Sequence, residues 1–330
     1  MPPASLRKSL FPAFVHQSRT WLRRCPVLLL VSLSGCSGGV LEPQGPIGAA
    51  NRIILLDSLA IMGVIVVPTL AAILAFAWWF RASNPRAVYR PDFVYEGRLE
   101  LLVWAVPILI IMFLGGVIWI GSQQLDPFRP IDAQTGQAAQ TTGQAGQTAQ
   151  TKPLEVQVIS LDWKWLFIYP DRNVASVNQV VVPAGTPVHF LLTSASVMNQ
   201  FFVPQLGSMI ACMNRMVTQL HLQADRPGNY NGLSAQFSGD GFSTMHFVLR
   251  AVPRDEFDAW IAGARRSGPT LDRAGYTALA QPSERVSPFT YSAVEPGLFA
   301  AVATQEIPPG PGPSAEAGPT QIRPKTKTDH

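Results

Sequence analysis

Two long apolar segments, separated by a short arginine-rich connector, constrain the fold of this chain more than any other feature. They run from about Ile53 to Phe80 and from about Leu99 to Ile120. Each segment exceeds the roughly 20 apolar residues that a helix needs to cross a bilayer. The sequence therefore predicts a two-helix transmembrane hairpin within residues 53–122, with Pro68 and Pro107 inside the helices.

The distribution of charge orients this hairpin. The connector contains four basic residues, Arg81, Arg86, Arg90 and Arg98. Because basic residues concentrate in cytoplasmic loops, the connector is predicted to be cytoplasmic and both flanking parts of the chain periplasmic. The net charge of +4 is modest, and the basic residues surround apolar segments instead of forming a basic domain. This pattern argues against a nucleic acid as partner.

The N-terminus resembles the signal peptide of a bacterial lipoprotein. Basic residues, among them Arg23 and Arg24, precede the apolar run CPVLLLVSL, which ends in LSGC at Cys36. The run is too short to span a bilayer. LSGC is similar to the lipobox, in which the cysteine is acylated and becomes the first mature residue. The resemblance implies a signal peptide at residues 1–35 and a lipidated, palmitate-carrying Cys36 at the inner membrane. An ordinary signal with a chance cysteine is the alternative.

The rest of the chain divides by composition. Residues 36–52 are predicted to form a periplasmic segment. Residues 123–153, rich in Gln, Thr and Gly, are predicted to be a flexible linker because they show no apolar periodicity. Short alternating runs in residues 154–266 predict an antiparallel β-sandwich followed by the amphipathic helix PRDEFDAWIAGARR. Residues 267–330 are predicted to be a C-terminal extension, Pro-rich and disordered at its end.

Within this region, the stretch YNGLSAQFSGDGFSTMHF, residues 230–247, is predicted to be a Gly- and Ser-rich loop between two strands. Small β domains often carry functional residues on such loops. This one contains no cysteine. Only Cys212 remains in the periplasmic part, so no internal disulfide is possible there, and Cys212 is interpreted as a buried apolar residue.

Three motifs in this order are similar to subunit II of the haem–copper respiratory oxidases: DWKWLFIYP, SVMNQFFVPQLGS and PGNYNGLSAQFSGDGFSTM. The resemblance extends from the lipobox to about Ala264. It implies that the two-helix transmembrane hairpin is followed by an all-β, cupredoxin-like Greek-key sandwich.

In the cytochrome c oxidase branch of that family, the sandwich holds a two-copper centre. The ligands come from a Cys-x-Glu-x-Cys loop, a His and a Met after it, and an earlier His; thiolates, imidazoles and a thioether suit copper. At these positions the present chain has Asn199, Ser234, Gln236, Ser238 and Phe242 in place of ligands, and it retains Met245. The resemblance thus implies a copper loop without its ligands and no cofactor in this subunit. A turn that never held metal predicts the same absence.

This departure is typical of the quinol oxidases of the cytochrome o type, whose subunit II is also a lipoprotein. The resemblance implies a proton-translocating enzyme complex that oxidises ubiquinol and reduces oxygen to water. Haems, one copper and ubiquinol are expected in subunit I, with subunits III and IV and membrane lipid as further partners. The present chain would be a subunit without redox cofactors. A cytochrome c oxidase subunit II and a free-standing periplasm-facing lipoprotein are the alternatives, and the haem type stays open.

Glu100 lies at the predicted cytoplasmic start of the second helix. The family has a glutamate here, beside the mouth of a proton pathway in subunit I, so the resemblance implies a role in proton uptake. A glutamate at a helix N-terminus is also favoured by the helix dipole alone, which is the alternative interpretation. Glu96, one turn earlier, is the second candidate.

Three histidines and two tryptophans of the predicted sandwich are interpreted as structural residues. His189, His221 and His246 lie in strand-like runs without close ligand spacing, which favours hydrogen-bonding roles. Trp163 and Trp165 are predicted to share one strand face, either in core or interface packing or as the remnant of an electron-transfer surface.

Overall fold

The computed structural model describes residues 39–88, 91–131 and 152–312. Two long helices come first, α1 at Pro46–Trp79 and α2 at Gly97–Gln124. Both are long and apolar enough to cross a membrane, and the most apolar part of each exposes its side chains instead of burying them within the chain. The predicted hairpin is confirmed.

Helix α1 begins at Pro46, earlier than the predicted start at Ile53, because its first turn packs against the periplasmic domain. The Gly48 amide donates a hydrogen bond of 3.0 Å to the carbonyl oxygen of Leu206. A side chain at Gly48 would crowd the carbonyl oxygen of Gln205. Proline is favourable in the first helical turn, where its missing N–H is not needed. The membrane anchor and the domain are therefore joined at a close backbone contact.

The domain that follows contains strands β1–β10 in two facing sheets. The strands are β1 Leu154–Leu161, β2 Lys164–Tyr169, β3 Val174–Val177, β4 Gln179–Pro183, β5 Val188–Ser194, β6 Asn199–Phe202, β7 Ile210–Cys212, β8 Thr218–Leu222, β9 Gly228–Ser234 and β10 His246–Val252. After them come α3 Arg254–Arg266, β11 Thr270–Leu271, α4 Arg273–Leu279, β12 Phe289–Tyr291, β13 Ala293–Val294 and α5 Leu298–Ala303.

The chain alternates between the sheets, as in a Greek-key sandwich. One sheet has the order β12-β3-β2-β1-β5-β8 and the other β4-β10-β9-β6-β7. Most neighbours are antiparallel, but β1 pairs with β5 and β10 pairs with β4 in parallel. The sandwich is therefore mainly but not entirely antiparallel, because strands that return from the opposite sheet join neighbours that are not consecutive in the chain.

An aromatic core fills the space between the two sheets. Trp165, Phe167, Phe190, Phe201 and Phe247 are among its members, and none is more than 2% exposed. The rings of Phe201 and Phe247 stack with centroids 4.8 Å apart. Aromatic pairs of this kind contribute roughly 0.5–1.5 kcal/mol beyond the burial of their area.

A second core joins the C-terminal extension to the outer face of the first sheet. It combines Leu166 and Ile168 of the sandwich with Leu271, Tyr276 and Leu298 of the extension. The extension is thus folded through Ala303, and the Gly310 and Gly312 amides still donate hydrogen bonds to the sandwich. Sequence periodicity does not reveal this part, because its helices and strands are short and its apolar residues are widely spaced.

The stretch predicted to be a loop is shorter than expected. Strand β9 includes residues 228–234, so only residues 235–245 connect it to β10. Along β9, Tyr230, Gly232 and Ser234 are buried while Asn229 and Asn231 are exposed. The alternation of a strand is present, but small and polar residues hide it.

Trp163 is not part of a strand, so the two tryptophans are not neighbours on one strand face. Trp163 occupies the tight turn between β1 and β2 with a left-handed φ of 65°. It still packs, partly buried, against the same core as Trp165, which supports the interpretation of core packing. A bulky residue with positive φ is uncommon and is held by its surroundings.

Candidate functional site

The residues at the copper-ligand positions of the family meet at one end of the sandwich. Asn199 begins β6 and Ser234 ends β9, which pairs with β6. The Ser234 amide donates to the carbonyl oxygen of Met245, 3.3 Å away, across the base of the connecting loop. We call residues 235–245 the β9–β10 loop.

Hydrogen bonds join the side chains at two of these positions. The Ser234 hydroxyl donates to Asn199 Oδ1 at 3.0 Å and lies 3.2 Å from the carbonyl oxygen of Gln236. Asn199 and Ser234 are both buried. The two side chains therefore link the start of β6 directly to the end of β9.

Trp163 holds the outer part of the β9–β10 loop in place. Its indole N–H donates to the carbonyl oxygen of Ser238 at 3.0 Å. Its ring lies so close to Gly241 that a Cβ there would overlap it. The contacts with Trp163 therefore constrain the backbone of the loop. Glycine is required at position 241 because the Trp163 ring approaches it too closely for a side chain. The Ser238 hydroxyl itself is buried without a hydrogen-bond partner in the part of the chain that the structure describes.

Met245 and Phe242 complete the group of positions. Met245 is buried in the aromatic core, where a thioether packs well against rings. Phe242 contacts the exposed ring of Phe237 edge-on, with centroids 5.5 Å apart. Both side chains have apolar neighbours, so each has a packing role in the present structure.

The side-chain atoms at and beside the β9–β10 loop do not suit a two-copper centre. They include hydroxyl and amide oxygens and one thioether, whereas copper centres of this kind need thiolates and imidazoles. Within residues 39–88, 91–131 and 152–312, no group of three or more His, Cys, Asp or Glu is arranged to hold a metal ion.

Cys212 lies beside this group but does not supply the missing thiolate. It pairs in register with Asn199 across β6 and β7 and is fully buried. Burial raises the pKa of the Cys212 thiol well above its usual range. Because the thiolate is the metal-binding and nucleophilic form, Cys212 behaves as a small apolar residue.

The three histidines are hydrogen-bonded, as predicted. His189 Nε2 lies 3.2 Å from Gln219 Oε1, and His246 Nε2 lies 2.8 Å from the carbonyl oxygen of Ser243. His221 Nδ1 lies 3.2 Å from the carbonyl oxygen of Pro127, just after α2. The sequence did not show that His189 and His221 are cross-strand neighbours whose rings stack with centroids 4.5 Å apart. Only the strand register reveals that contact.

The remaining predicted sites are distant in sequence from the β9–β10 loop. Glu100 is exposed in the first turn of α2, and its amide donates to the carbonyl oxygen of Glu96 at 3.0 Å. Glu96 is the N-cap residue, and its side chain makes no capping hydrogen bond. Cys36 and the central part of the predicted linker, residues 132–151, lie outside the described residues.

Comparison with known families matches the two parts of the periplasmic region separately. Residues 170–252 match "Cytochrome C oxidase subunit II, periplasmic domain", and residues 265–309 match "COX Aromatic Rich Motif". The second match coincides with the extension that forms the second core.

Curated relatives cover most of the chain. It is 46% identical over 268 residues to "Ubiquinol oxidase subunit 2" of Acetobacter aceti, which covers 81% of this chain and 82% of that protein. It is 41% identical over 285 residues to "Cytochrome bo(3) ubiquinol oxidase subunit 2" of Pseudomonas aeruginosa, covering 86% and 80%. Among solved structures, the periplasmic domain of subunit II of cytochrome oxidase (CoxB) of Bradyrhizobium japonicum is 23% identical, with a TM-score of 0.33 over 34% of this chain and 94% of that one.

A two-helix membrane anchor followed by this cupredoxin-like sandwich defines a subunit II of the haem–copper oxidase class. It is an inner-membrane protein with a periplasmic domain. Within that class, the chain belongs to the ubiquinol oxidase subunit 2 family.

Proposed function

We propose that this chain is subunit II of a proton-translocating ubiquinol oxidase and that it carries no redox cofactor of its own. The observation that supports this most strongly is the hydrogen bond between Ser234 and Asn199, at two of the copper-ligand positions of the family. The family membership supports the quinol as the electron donor of the complex.

The chemistry of the electron donor explains why the β9–β10 loop needs no copper. A quinol dissolves in the bilayer and delivers its electrons within the membrane, so a periplasmic relay has no role. We place the haems, the single copper and the ubiquinol site in subunit I, and we expect subunits III and IV as further partners. In this arrangement the sandwich of the present chain is a structural part of the periplasmic face.

We also propose that Cys36 is acylated after removal of residues 1–35. The lipobox-like LSGC supports this modification. The helices α1 and α2 anchor the chain far more strongly than acyl chains do, so lipidation would affect the placement of the N-terminus and not membrane attachment itself.

Glu100 is proposed to assist proton uptake from the cytoplasm. Its exposure in the first turn of α2 leaves the carboxylate accessible to water and to a neighbouring subunit. A carboxylate at this point can accept a proton from the cytoplasm and release it through water to subunit I.

Purification in mild detergent tests the proposed function. The affinity-tagged chain should copurify with haem-containing subunits, and the complex should oxidise ubiquinol with reduction of oxygen. Reduced cytochrome c should not be a substrate. Recovery of the chain without haem subunits would indicate a free-standing lipoprotein, and oxidation of cytochrome c would indicate the other branch of the family.

A further inference from the structure

The cytoplasmic end of α1 forms a pocket that none of the functions above uses. Because the sandwich follows α2 and lies in the periplasm, the connector between α1 and α2 lies on the cytoplasmic side. Helix α1 ends at Trp78 and Trp79, and tryptophans are enriched at the level of lipid headgroups. The pocket is therefore at the depth of the membrane interface.

The connector folds back over the end of the helix to make this pocket. The Asn84 side-chain amide donates to the carbonyl oxygen of Trp79 at 2.6 Å. The resulting cavity has a volume of about 760 Å³. We call it the connector pocket; its principal lining residues are Trp79, Phe80, Arg81, Asn84, Arg86 and Phe93.

Two arginines give the connector pocket a positive charge. The Arg81 guanidinium lies over the Trp78 ring, 5.0 Å from its centroid. Its Nε donates to the Ser83 hydroxyl at 3.1 Å and its Nη1 to the Trp78 carbonyl oxygen at 3.4 Å, which leaves Nη2 available. In the described part of the chain, neither Arg81 nor Arg86 forms an ion pair with a carboxylate.

We propose that the connector pocket binds the phosphate headgroup of an anionic phospholipid in the cytoplasmic leaflet. The planar guanidinium of Arg86 matches the geometry of phosphate oxygens and can bind them with two parallel hydrogen bonds, and Arg81 can donate from Nη2. Basic residues beside the cytoplasmic end of a membrane helix attract anionic lipids. The stacking of Arg81 on Trp78 holds one guanidinium in place before the lipid binds.

The apolar lining favours a lipid over a free anion. Trp79, Phe80 and Phe93 are each about half exposed, and they continue the apolar outer surface of α1. A glycerol backbone and the first methylenes of the acyl chains would cover these side chains while the phosphate contacts the arginines. A soluble phosphate would leave the aromatic surface in water.

Titration of the assembled oxidase with phosphatidylglycerol, followed by native mass spectrometry, tests the proposal. After exchange into detergent, the wild-type complex should bind one phosphatidylglycerol more tightly than phosphatidylethanolamine. The double variant Arg81→Gln/Arg86→Gln should bind it about thirtyfold more weakly, since each basic residue near the surface contributes roughly fivefold. Arg81→Lys/Arg86→Lys keeps both charges but loses the planar guanidinium groups, so its affinity should lie between those of the wild type and the double Gln variant.

Arg98→Gln is the matched control, because Arg98 lies on the same side of the membrane but does not line the connector pocket. Its affinity for phosphatidylglycerol should equal that of the wild type. Equal affinity of the wild type and the double Gln variant would overturn the proposal, as would equal binding of the two lipids. Displacement of phosphatidylglycerol by millimolar inorganic phosphate would also overturn it, because the ligand would then be a free anion.

Discussion

Replacing Lys164 with methionine removes a buried cation from the contact between the sandwich and the C-terminal extension. Lys164 is only 1% exposed, although it is charged in the unfolded chain. Its ammonium donates to the carbonyl oxygen of Gln281 and to the Ser283 hydroxyl, both at 2.6 Å. These two acceptors belong to the extension, so the side chain reports directly on the packing of the second core.

Burial determines how this contact depends on pH. Loss of hydration lowers the pKa of Lys164 from 10.5 to about 8. The nearby negative charge of Asp162 raises the pKa and offsets part of this shift. Between these two values the unfolded chain binds more protons than the folded one, so stability rises with pH. At about 1.4 kcal/mol per tenfold change in proton affinity, the free energy of unfolding should rise by about 2 kcal/mol between pH 7.5 and 9.5.

Urea-induced unfolding of the periplasmic domain in detergent, followed by tryptophan fluorescence, measures this rise. The wild type should show it and Lys164→Met should not. Lys152→Met is the matched control, since the Lys152 side chain is 82% exposed and pairs only with Asp171 at the surface. Its pH profile should follow that of the wild type. If the free energy of unfolding depended on pH in the same way for the wild type and Lys164→Met, the buried, poorly hydrated environment assigned to Lys164 would be refuted.

Three further predictions concern the proposed sites. Mass spectrometry of the mature N-terminus should show an acylated Cys36 with no residue before it; an unmodified N-terminus elsewhere would contradict lipidation. Glu100→Ala in the oxidase with normal haem content should slow turnover by slowing reduction of the oxygen-binding centre, with partial recovery in Glu100→Asp; unchanged kinetics across pH would leave Glu100 as a helix-end charge. Restoring the ligand set should create a thiolate-to-copper absorption band, because the surrounding strands already bring these positions together; a colourless, copper-free variant would show that the loop backbone does not fit the metal. That set is Asn199→His, Ser234→Cys, Gln236→Glu, Ser238→Cys and Phe242→His.

The membrane hairpin and the longer strands could be predicted because their signals are local. A run of apolar residues long enough to span a bilayer identifies α1 and α2 without any tertiary information. In the sandwich, the first four residues of β5 alternate between buried and less buried positions, and β8 is recognisable from the alternating sequence VTQLHLQA.

The elements that were missed depend on tertiary contacts. Strand β9 is rich in Gly, Asn and Ser, and its Gly232 is required because the Phe247 ring occupies the space of a side chain. Residues 46–52 became helical because Gly48 meets the periplasmic domain. The folded extension depends on Tyr276 and Leu298, which gain their apolar environment only from the outer face of the sheet.

The candidate site was predictable only in part for the same reason. The positions of Ser234 and Asn199 follow from motif spacing, but their mutual hydrogen bond requires the pairing of β6 with β9. The role of Trp163 could not be read from strand alternation, because a left-handed residue in the β1–β2 turn directs its indole to Ser238.

The copper content of the purified oxidase, measured against its haem content, tests most directly whether this chain lacks a copper centre. We expect a single copper per complex, assigned to subunit I, and no absorption from thiolate-bound copper. The Ser234→Ala variant should have the same copper content, because the Ser234 hydroxyl binds Asn199. Three coppers per complex, two of them lost in Ser234→Ala, would show that this chain holds a copper centre.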